Sequence, residues 1–360
     1  PVGDGQRLSL RVQANGRNFQ NYSISFTEPW LGGRKPQSLS VSANKSISRF
    51  AGQGATNFFD LNSVLKVDNI TIGLGKLLEW PDNYFTLTNS LSYSVYTLKN
   101  APNYIPGCPD CVANSFTFNT TLARRSVDSP MYPTQGSEIS LSATFTPPYS
   151  SWSKLNYEEA TPQQLNKWVE YHKWMFDAKY YIPLDRKNKL VLEAKAHFGF
   201  IGRYSTKLRY TPFERFFVGG AGLAGGFGAF VLGQDIIALR GYDDNKITPP
   251  FPNQPGYGGR AEGGIVYDKF GLELRYPVTT GNAATIYGFV FAEAGNNWSN
   301  YEDFNPFSMY KTAGFGARIF MPAFGLIGLN WGYGFDPIPL GSPNQRSGAK
   351  FQFTIGQQIR

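Results

Sequence analysis

Apolar and polar residues alternate with a period of two along most of this chain. Leu8, Leu10 and Val12 alternate with Arg7, Ser9 and Arg11. Ile139, Leu141, Ala143 and Phe145 alternate with Glu138, Ser140, Ser142 and Thr144. Near the end, Phe351, Phe353 and Ile355 alternate with Gln352, Thr354 and Gly356. Successive side chains of a strand point to opposite faces, so the pattern predicts strands with one apolar and one polar face. About fourteen such segments are predicted, near 6–14, 20–30, 36–48, 64–79, 83–98, 114–125, 136–146, 169–182, 189–200, 262–276, 284–297, 311–321, 326–335 and 350–358.

The connections alternate in length. Those at 30–35, 79–83, 183–188, 277–282 and 322–325 are short. Those at 49–63, 99–113, 147–168, 201–261, 298–310 and 336–349 are long. Short turns on one side, long loops on the other and an apolar outer face make up the pattern of an outer-membrane barrel. The predicted fold class is all-β: a transmembrane antiparallel β-barrel with long extracellular loops capping its mouth. Many segments reach ten residues or more, whereas strands of soluble proteins centre on about 5–6. No repeat of propeller length appears. Trp30, Trp80, Trp298 and Trp331 fall near predicted strand ends, where interfacial aromatics are expected. One short helix is predicted before the eighth segment, with Thr161 as N-cap, Pro162 first, and a run to His172.

Composition sharpens this reading. Only 17% of residues are charged, 16% are aromatic and 39 are Gly. The longest uncharged run, Phe216 to Gly233, holds seven Gly, a poor composition for a membrane helix. No secretory leader pattern opens the chain, which starts at once in strand-like sequence, as expected of a piece of a longer protein. The net charge of +8 is scattered, without a basic helix or stripe. Nucleic acid is therefore not an expected partner, and anionic lipid is the sharper reading of the positive charge. Cys108 and Cys111 form a C-x-x-C pair that could be a redox centre or half a zinc site. With only two histidines in the chain and no βαβ pattern nearby, a small loop disulfide without metal is the preferred reading.

Gly220, Gly222 and Gly225 match the dinucleotide-binding spacing, and Asp243 follows at a suitable distance. No amphipathic helix follows them, so a closely packed loop base explains these glycines better. No nucleophile–base pair is recognisable, so neither an enzyme nor a cofactor is expected. His197 shares a strand face with Lys195 and Glu193, which reads as a polar lumen.

The loop at 201–261 carries Leu239-Arg240-Gly241-Tyr242, one arginine between bulky apolar neighbours. A charge folded into a lumen needs a partner. Glu273 and Glu293, on the two predicted strands after the loop, have the right sign and compatible parity. Parity also turns Arg275 inward with Glu273, sends Leu272, Leu274 and Tyr276 outward, and brings Phe289 and Phe291 inside. Tyr242 is the expected contact of those two phenylalanines. An Arg240→Glu, Glu273→Arg charge swap is expected to recover part of what Arg240→Ala loses.

Leu239-Arg-Gly-Tyr242 resembles the V-R-G-F loop motif of the BamA family of outer-membrane insertases. Phe213-Glu-Arg-Phe-Phe-Val-Gly-Gly220, Leu272-Glu-Leu-Arg-Tyr-Pro277, Phe291-Ala-Glu-Ala-Gly-Asn-Asn-Trp298, Thr312-Ala-Gly-Phe-Gly-Ala-Arg318 and Phe351-Gln-Phe-Thr-Ile-Gly356 resemble family segments in the same order. Asp128 with Tyr132-Pro-Thr-Gln-Gly136 resembles a mid-barrel turn of the family. The resemblance implies a sixteen-stranded barrel preceded by POTRA domains, which folds and inserts other β-barrels without a cofactor. It implies clients that pair at a seam between first and last strands. Phe351, Phe353 and Gly356 are then the last-strand seam residues. Implied partners are outer-membrane lipid and lipopolysaccharide, unfolded β-barrel clients, accessory lipoproteins and ligands of the surface loops. A TamA-like assembly factor and a two-partner-secretion transporter share the motif; a passive porin is the alternative of another class. The sequence departs from the family pattern in several places. Residues 6–14 match the third family strand, so the whole of 1–360 reads as barrel, without POTRA domains or the first two strands. Tyr242 stands where Phe is usual, Gly222 to Ile237 lengthen the loop, and the chain ends in Ile-Arg.

Overall fold

The computed structural model describes residues 5–33, 36–50, 61–101, 104–105, 107–221, 233–249, 262–281, 284–322, 325–339 and 346–355. The first seven strands are β1 (Arg7–Asn15), β2 (Phe19–Glu28), β3 (Gln37–Phe50), β4 (Ser63–Leu77), β5 (Phe85–Lys99), β6 (Val112–Arg125) and β7 (Gly136–Phe145). After two helical turns, α1 (Tyr149–Trp152) and α2 (Pro162–Leu165), come β8 (His172–Pro183) and β9 (Val191–Gly202). Two short strands follow, β10 (Phe216–Val218) and β11 (Asp235–Ile237). The chain returns to the wall with β12 (Val266–Thr280), β13 (Thr285–Trp298), β14 (Tyr310–Met321), β15 (Gly325–Pro337) and β16 (Arg346–Ile355).

Fourteen strands form one sheet in chain order, interrupted only where β9 pairs directly with β12. Every neighbouring pair in that sheet is antiparallel. The period-two pattern sets the faces. Ile70, Ile72, Leu74, Leu91, Leu272 and Tyr276 stand exposed on the outer face. Glu193, Lys195, Lys269, Glu273 and Glu293, of opposite parity, are buried inside. Among the described residues β1 pairs only with β2, and β16 only with β15, so the two edges of the sheet do not pair with each other.

Two apolar clusters fill the interior at different heights. On the long-loop side, Phe213, Phe216, Val218, Ile237, Leu239 and Ile247 pack on wall residues that include Leu65, Leu98 and Ile201. This cluster forms an apolar cap over the long-loop end of the interior. Of the five loops expected to form it, 51–60, 102–103, 106, 222–232, 250–261 and 340–345 lie outside the described residues. On the short-turn side, Tyr132, Tyr181, Val191 and Tyr287 form a floor with Phe289 and Phe291. Tyr132 belongs to the turn between β6 and β7, where Asp128 accepts hydrogen bonds from Thr134 N (2.8 Å) and Gln135 N (3.3 Å). The Tyr132 hydroxyl donates to the Lys189 carbonyl at 2.8 Å and so ties this turn to the next one.

Several expectations are corrected. The helix after Thr161 has its cap, with Thr161 and Gln164 bonded reciprocally, but it runs only four residues. Asn114 N then donates to the Lys167 carbonyl and Val169 N to the Asn114 carbonyl, which sets Trp168 beside Asn114 instead of continuing the helix. Trp298 is not an exposed girdle residue, because the following loop places Phe304 against it at 4.9 Å. Trp331 lies mid-strand on the outer face, stacked on Phe315 at 5.2 Å. The 201–261 loop also contains a parallel pair, β10 with β11, that periodicity did not predict.

Cys108 and Cys111 sit in the β5–β6 loop on the capped side and are joined as a disulfide. Both belong to the cap cluster and are nearly fully buried. The structure therefore predicts no free thiol and no stoichiometric zinc in folded protein purified without reductant. Thiol titration under denaturing, non-reducing conditions checks this, with zero the expected count.

Candidate functional site

The candidate site is the turn Leu239–Tyr242 and the wall it meets. Leu239 N donates to the Gly220 carbonyl (3.1 Å) and Tyr242 N to the Leu239 carbonyl (3.4 Å), closing a tight turn. Gly241 has φ +85°, and a Cβ there would lie 2.5 Å from Thr312 Oγ1, so only glycine fits. The wall gives way at the same place: a Cβ on Gly332 would come within 2.8 Å of Gly241 N. The backbone of the loop thus lies directly against β15.

Arg240 is 1% exposed. Its Nη1 donates to Glu273 Oε2 at 2.9 Å and its Nη2 to Glu293 Oε1 at 2.7 Å. Its backbone N–H adds a bond to Glu293 Oε2 at 3.2 Å. The guanidinium lies 3.6 Å from the centroid of the Phe291 ring, a cation–π contact that also keeps water off its face. Phe289 lies at 5.4 Å and is shared with Arg318, at 4.5 Å. Register pairing sets Phe289 opposite Gly316 and Phe291 opposite Gly314, which gives the rings room to lie flat.

Glu273 and Glu293 do not face Arg240 alone. Register places Glu273 directly opposite Glu193, a like-charge pair that would be destabilising by itself. Arg275 resolves it: Nε donates to Glu273 Oε1 at 2.7 Å and Nη2 to Glu193 Oε2 at 2.5 Å. Lys195 Nζ lies 2.9 Å from Glu193 and 4.0 Å from Glu273. Lys269 Nζ lies 3.5 Å from Glu293. Three carboxylates and four cations thus form one buried lattice across β9, β12, β13 and the loop. His197 continues it, with Nδ1 at 2.6 Å from Asp177. The lattice lies between the apolar cap and the tyrosine floor, where each charge depends on its protein partners.

The structure brings Arg240, Glu273 and Glu293 together. Tyr242 goes elsewhere than expected, because Arg240 and not Tyr242 meets the two phenylalanines. The Tyr242 hydroxyl donates to the Lys311 carbonyl at 2.8 Å and accepts from Asp336 N at 3.3 Å. Its carbonyl accepts from Gln352 Nε2 at 3.0 Å, and Asp243 pairs with Lys350 at 2.9 Å. The loop tip therefore also touches β16. Phe351 and Phe353 point outward and are exposed, while Gly356 lies outside the described residues. Glu193, Arg275 and Lys269 were missed as members of the loop's anchor. Their shared parity with Lys195 and Glu273 was the available signal. Among the described residues no grouping of His, Cys, Asp and Glu could hold a metal ion.

The fold and this site define a class: transmembrane β-barrels in which one loop folds into the lumen and is fixed there by an arginine on wall carboxylates. The Omp85 superfamily domain matches residues 2–359, and the chain belongs to that superfamily. BamA from Haemophilus ducreyi lacking POTRA domains 1–3 is similar in structure, with a TM-score of 0.68 and 17% identity over 97% of this chain. CdiB from Escherichia coli is similar with a TM-score of 0.54 and 12% identity over 93% of this chain. The chain spans 63% and 52% of the lengths of those two proteins.

Removing one member of a buried pair strands the other, at a cost of roughly 3–5 kcal/mol. Arg240→Ala leaves two carboxylates with weakened compensation, so a large fall in unfolding stability is expected. Gly241→Ala should lower it as well, through positive φ and the clash with Thr312. Denaturant unfolding of the variants measures both, and stability equal to that of the wild type would contradict the contact. The charge swap at 240 and 273 should not rescue: an arginine at 273 would face Arg275 and Lys195.

Proposed function

We propose that this chain is the membrane barrel of a bacterial outer-membrane assembly factor that folds and inserts other β-barrel proteins. The carrying observation is the Arg240 turn, which joins the charge lattice on β12 and β13 to the last strand through Gln352 and Lys350. Membership of the Omp85 superfamily and the likeness to BamA support the same reading. In this reading client strands pair with the unpaired edge of β16, whose outer face is apolar at Phe351 and Phe353. Unpaired strand edges are templates for added strands. The proposed partners are unfolded barrel clients and accessory lipoproteins, with POTRA domains in the full-length protein. The activity makes and breaks no covalent bond, so no catalytic residue and no cofactor are assigned.

The likeness to CdiB supports a second reading, a two-partner-secretion transporter on the same barrel plan. The two readings differ in what crosses or enters the membrane. The full-length protein in liposomes is expected to accelerate folding of an unfolded β-barrel client into the bilayer. Arg240→Ala should slow that folding together with its loss of stability. Passage of a secreted polypeptide into the liposome lumen, without faster client insertion, would overturn the assembly reading and leave the transporter.

A further inference from the structure

The Arg240 turn hangs on two short strands, β10 and β11, of three residues each. β10 has its own hold on the wall. Phe216 N donates to the Gly264 carbonyl at 3.0 Å and Gly264 N to the Phe216 carbonyl at 2.8 Å, just before β12 begins. Arg215 is buried and closes the loop base, with Nε donating to the Thr211 carbonyl at 2.7 Å and Nη1 to the Gly263 carbonyl at 3.1 Å. β11 has no wall strand beside it, and its strand partner among the described residues is β10. Yet β11 leads directly into the turn, since Asp235–Ile237 is followed by Ala238, Leu239 and Arg240.

So short a pairing fixes its register weakly, and the hydrophobic pattern adds little. Phe216, Phe217 and Val218 are all apolar, and on the other strand Ile236, Ile237, Ala238 and Leu239 follow one another. A slip by one residue would exchange one apolar contact for another, the situation in which strands slide. It would also carry Arg240 about 3.3 Å along the chain, away from carboxylate oxygens now at 2.9 and 2.7 Å. Lys173 supplies a reference point. It projects inward from β8 and is 4% exposed. Its Nζ donates to the Glu214 carbonyl at 3.0 Å, to Glu214 Oε2 at 2.9 Å and to Oδ2 of Asp235. An ammonium has three N–H donors, so all of them are used. The Phe216 ring centroid lies 5.2 Å from the same nitrogen. Glu214 is left-handed, with φ 62°, and in that conformation its carbonyl and its carboxylate both reach Lys173. Such a backbone persists at a non-glycine residue only where its surroundings hold it. Glu214 precedes β10, Asp235 opens β11, and register sets Asp235 opposite Phe216. One wall side chain thus holds both short strands in a single alignment.

We propose that Lys173 is a positioning residue: it pins β11 against β10 and so sets the height at which Arg240 meets Glu273 and Glu293. Through the same turn it fixes where Tyr242 and Asp243 meet β16. The inference rests on the lumen loop of the proposed assembly function and not on the identity of the cargo. Were Lys173 only part of the packing of the cap, its loss would loosen the cap around it. As a register pin, its loss is felt at the tip, beyond the end of β11.

The test is hydrogen exchange of the full-length protein in detergent, read on peptides covering 238–243. The N–H groups of Leu239, Arg240 and Tyr242 are bonded, so in the wild type they exchange slowly. Lys173→Met is expected to speed their exchange by about ten-fold or more, through loss of charge-assisted bonds that hold a local unit closed. Asp235→Asn keeps the shape of the side chain and should act in the same direction, so the result does not depend on one variant folding. Leu98→Ala removes buried packing from the same cap and leaves Lys173, Glu214 and Asp235 in place. It should speed exchange at 213–218 while the tip stays protected. Tip exchange equal to that of the wild type in both charge variants would overturn the proposal. So would tip exchange that rises as much in Leu98→Ala, because Lys173 would then act through cap stability alone. Client insertion is not part of the readout, so failure of the assembly reading leaves this result intact.

Discussion

A guanidinium removed from water is the constraint on which the interior depends. Arg240 lies between an apolar cap and an aromatic floor, where an unpaired charge would be costly. Its two carboxylates are themselves held on neighbouring strands, so the turn can sit in one place only. A buried ion pair of this kind is weak evidence for stability beyond what an apolar replacement would give. Its effect here is on position. Two Nη groups, one backbone N–H and one aromatic face fix the height and the rotation of the turn against the wall.

That fixing extends to the edge of the sheet. Charge ties the turn to β12 and β13, and close backbone approach ties it to β15 at Gly332. Hydrogen bonds from Tyr242 and to its carbonyl reach β14 and β16. One four-residue turn therefore touches five consecutive strands ending at an unpaired edge. Bonds from Gln352 and Lys350 hold β16 from the inside, while its outward phenylalanines remain free. An edge strand supported on one face and unpaired along its length is suited to accept another strand.

The parts legible in the sequence share a physical cause. Period-two alternation located all fourteen wall strands because one face meets an apolar surround and the other a polar lumen. Glu273 and Glu293 were legible as partners of Arg240 through sign and parity alone. Glu193 was not, because its approach to Glu273 depends on β9 pairing with β12 across a loop of some sixty residues. Register across such a gap is set by tertiary closure, which periodicity does not encode. Trp298 was misread for a related reason: its strand position is outward, but the next loop covers it. The helix at Thr161 had the right cap and the wrong length, since pairing of Trp168 and Val169 with Asn114 overrode helical propensity. Tyr242 was assigned to the wrong neighbours because a turn with φ > 0 at Gly241 sends residues 240 and 242 to different walls.

Lysine and arginine do opposite jobs on the two faces of this wall. Inside, Lys195, Lys269, Arg240 and Arg275 each have a carboxylate within 4 Å. No mobile ion can be relied on between cap and floor, so the chain supplies the counter-charge and fixes it in geometry. Outside, at the long-loop end of β4 and β5, Lys66 and Lys99 have no protein counter-charge among the described residues. Water and lipid headgroups can supply anions there, and a protein partner would compete with them. The same strand β4 keeps its inward positions uncharged at Ser63 and Leu65 and places its charged residues Lys66, Asp68 and Lys76 on the outward parity. That division follows from the direction each side chain points, so the charge pattern of this barrel is a map of where compensation is available.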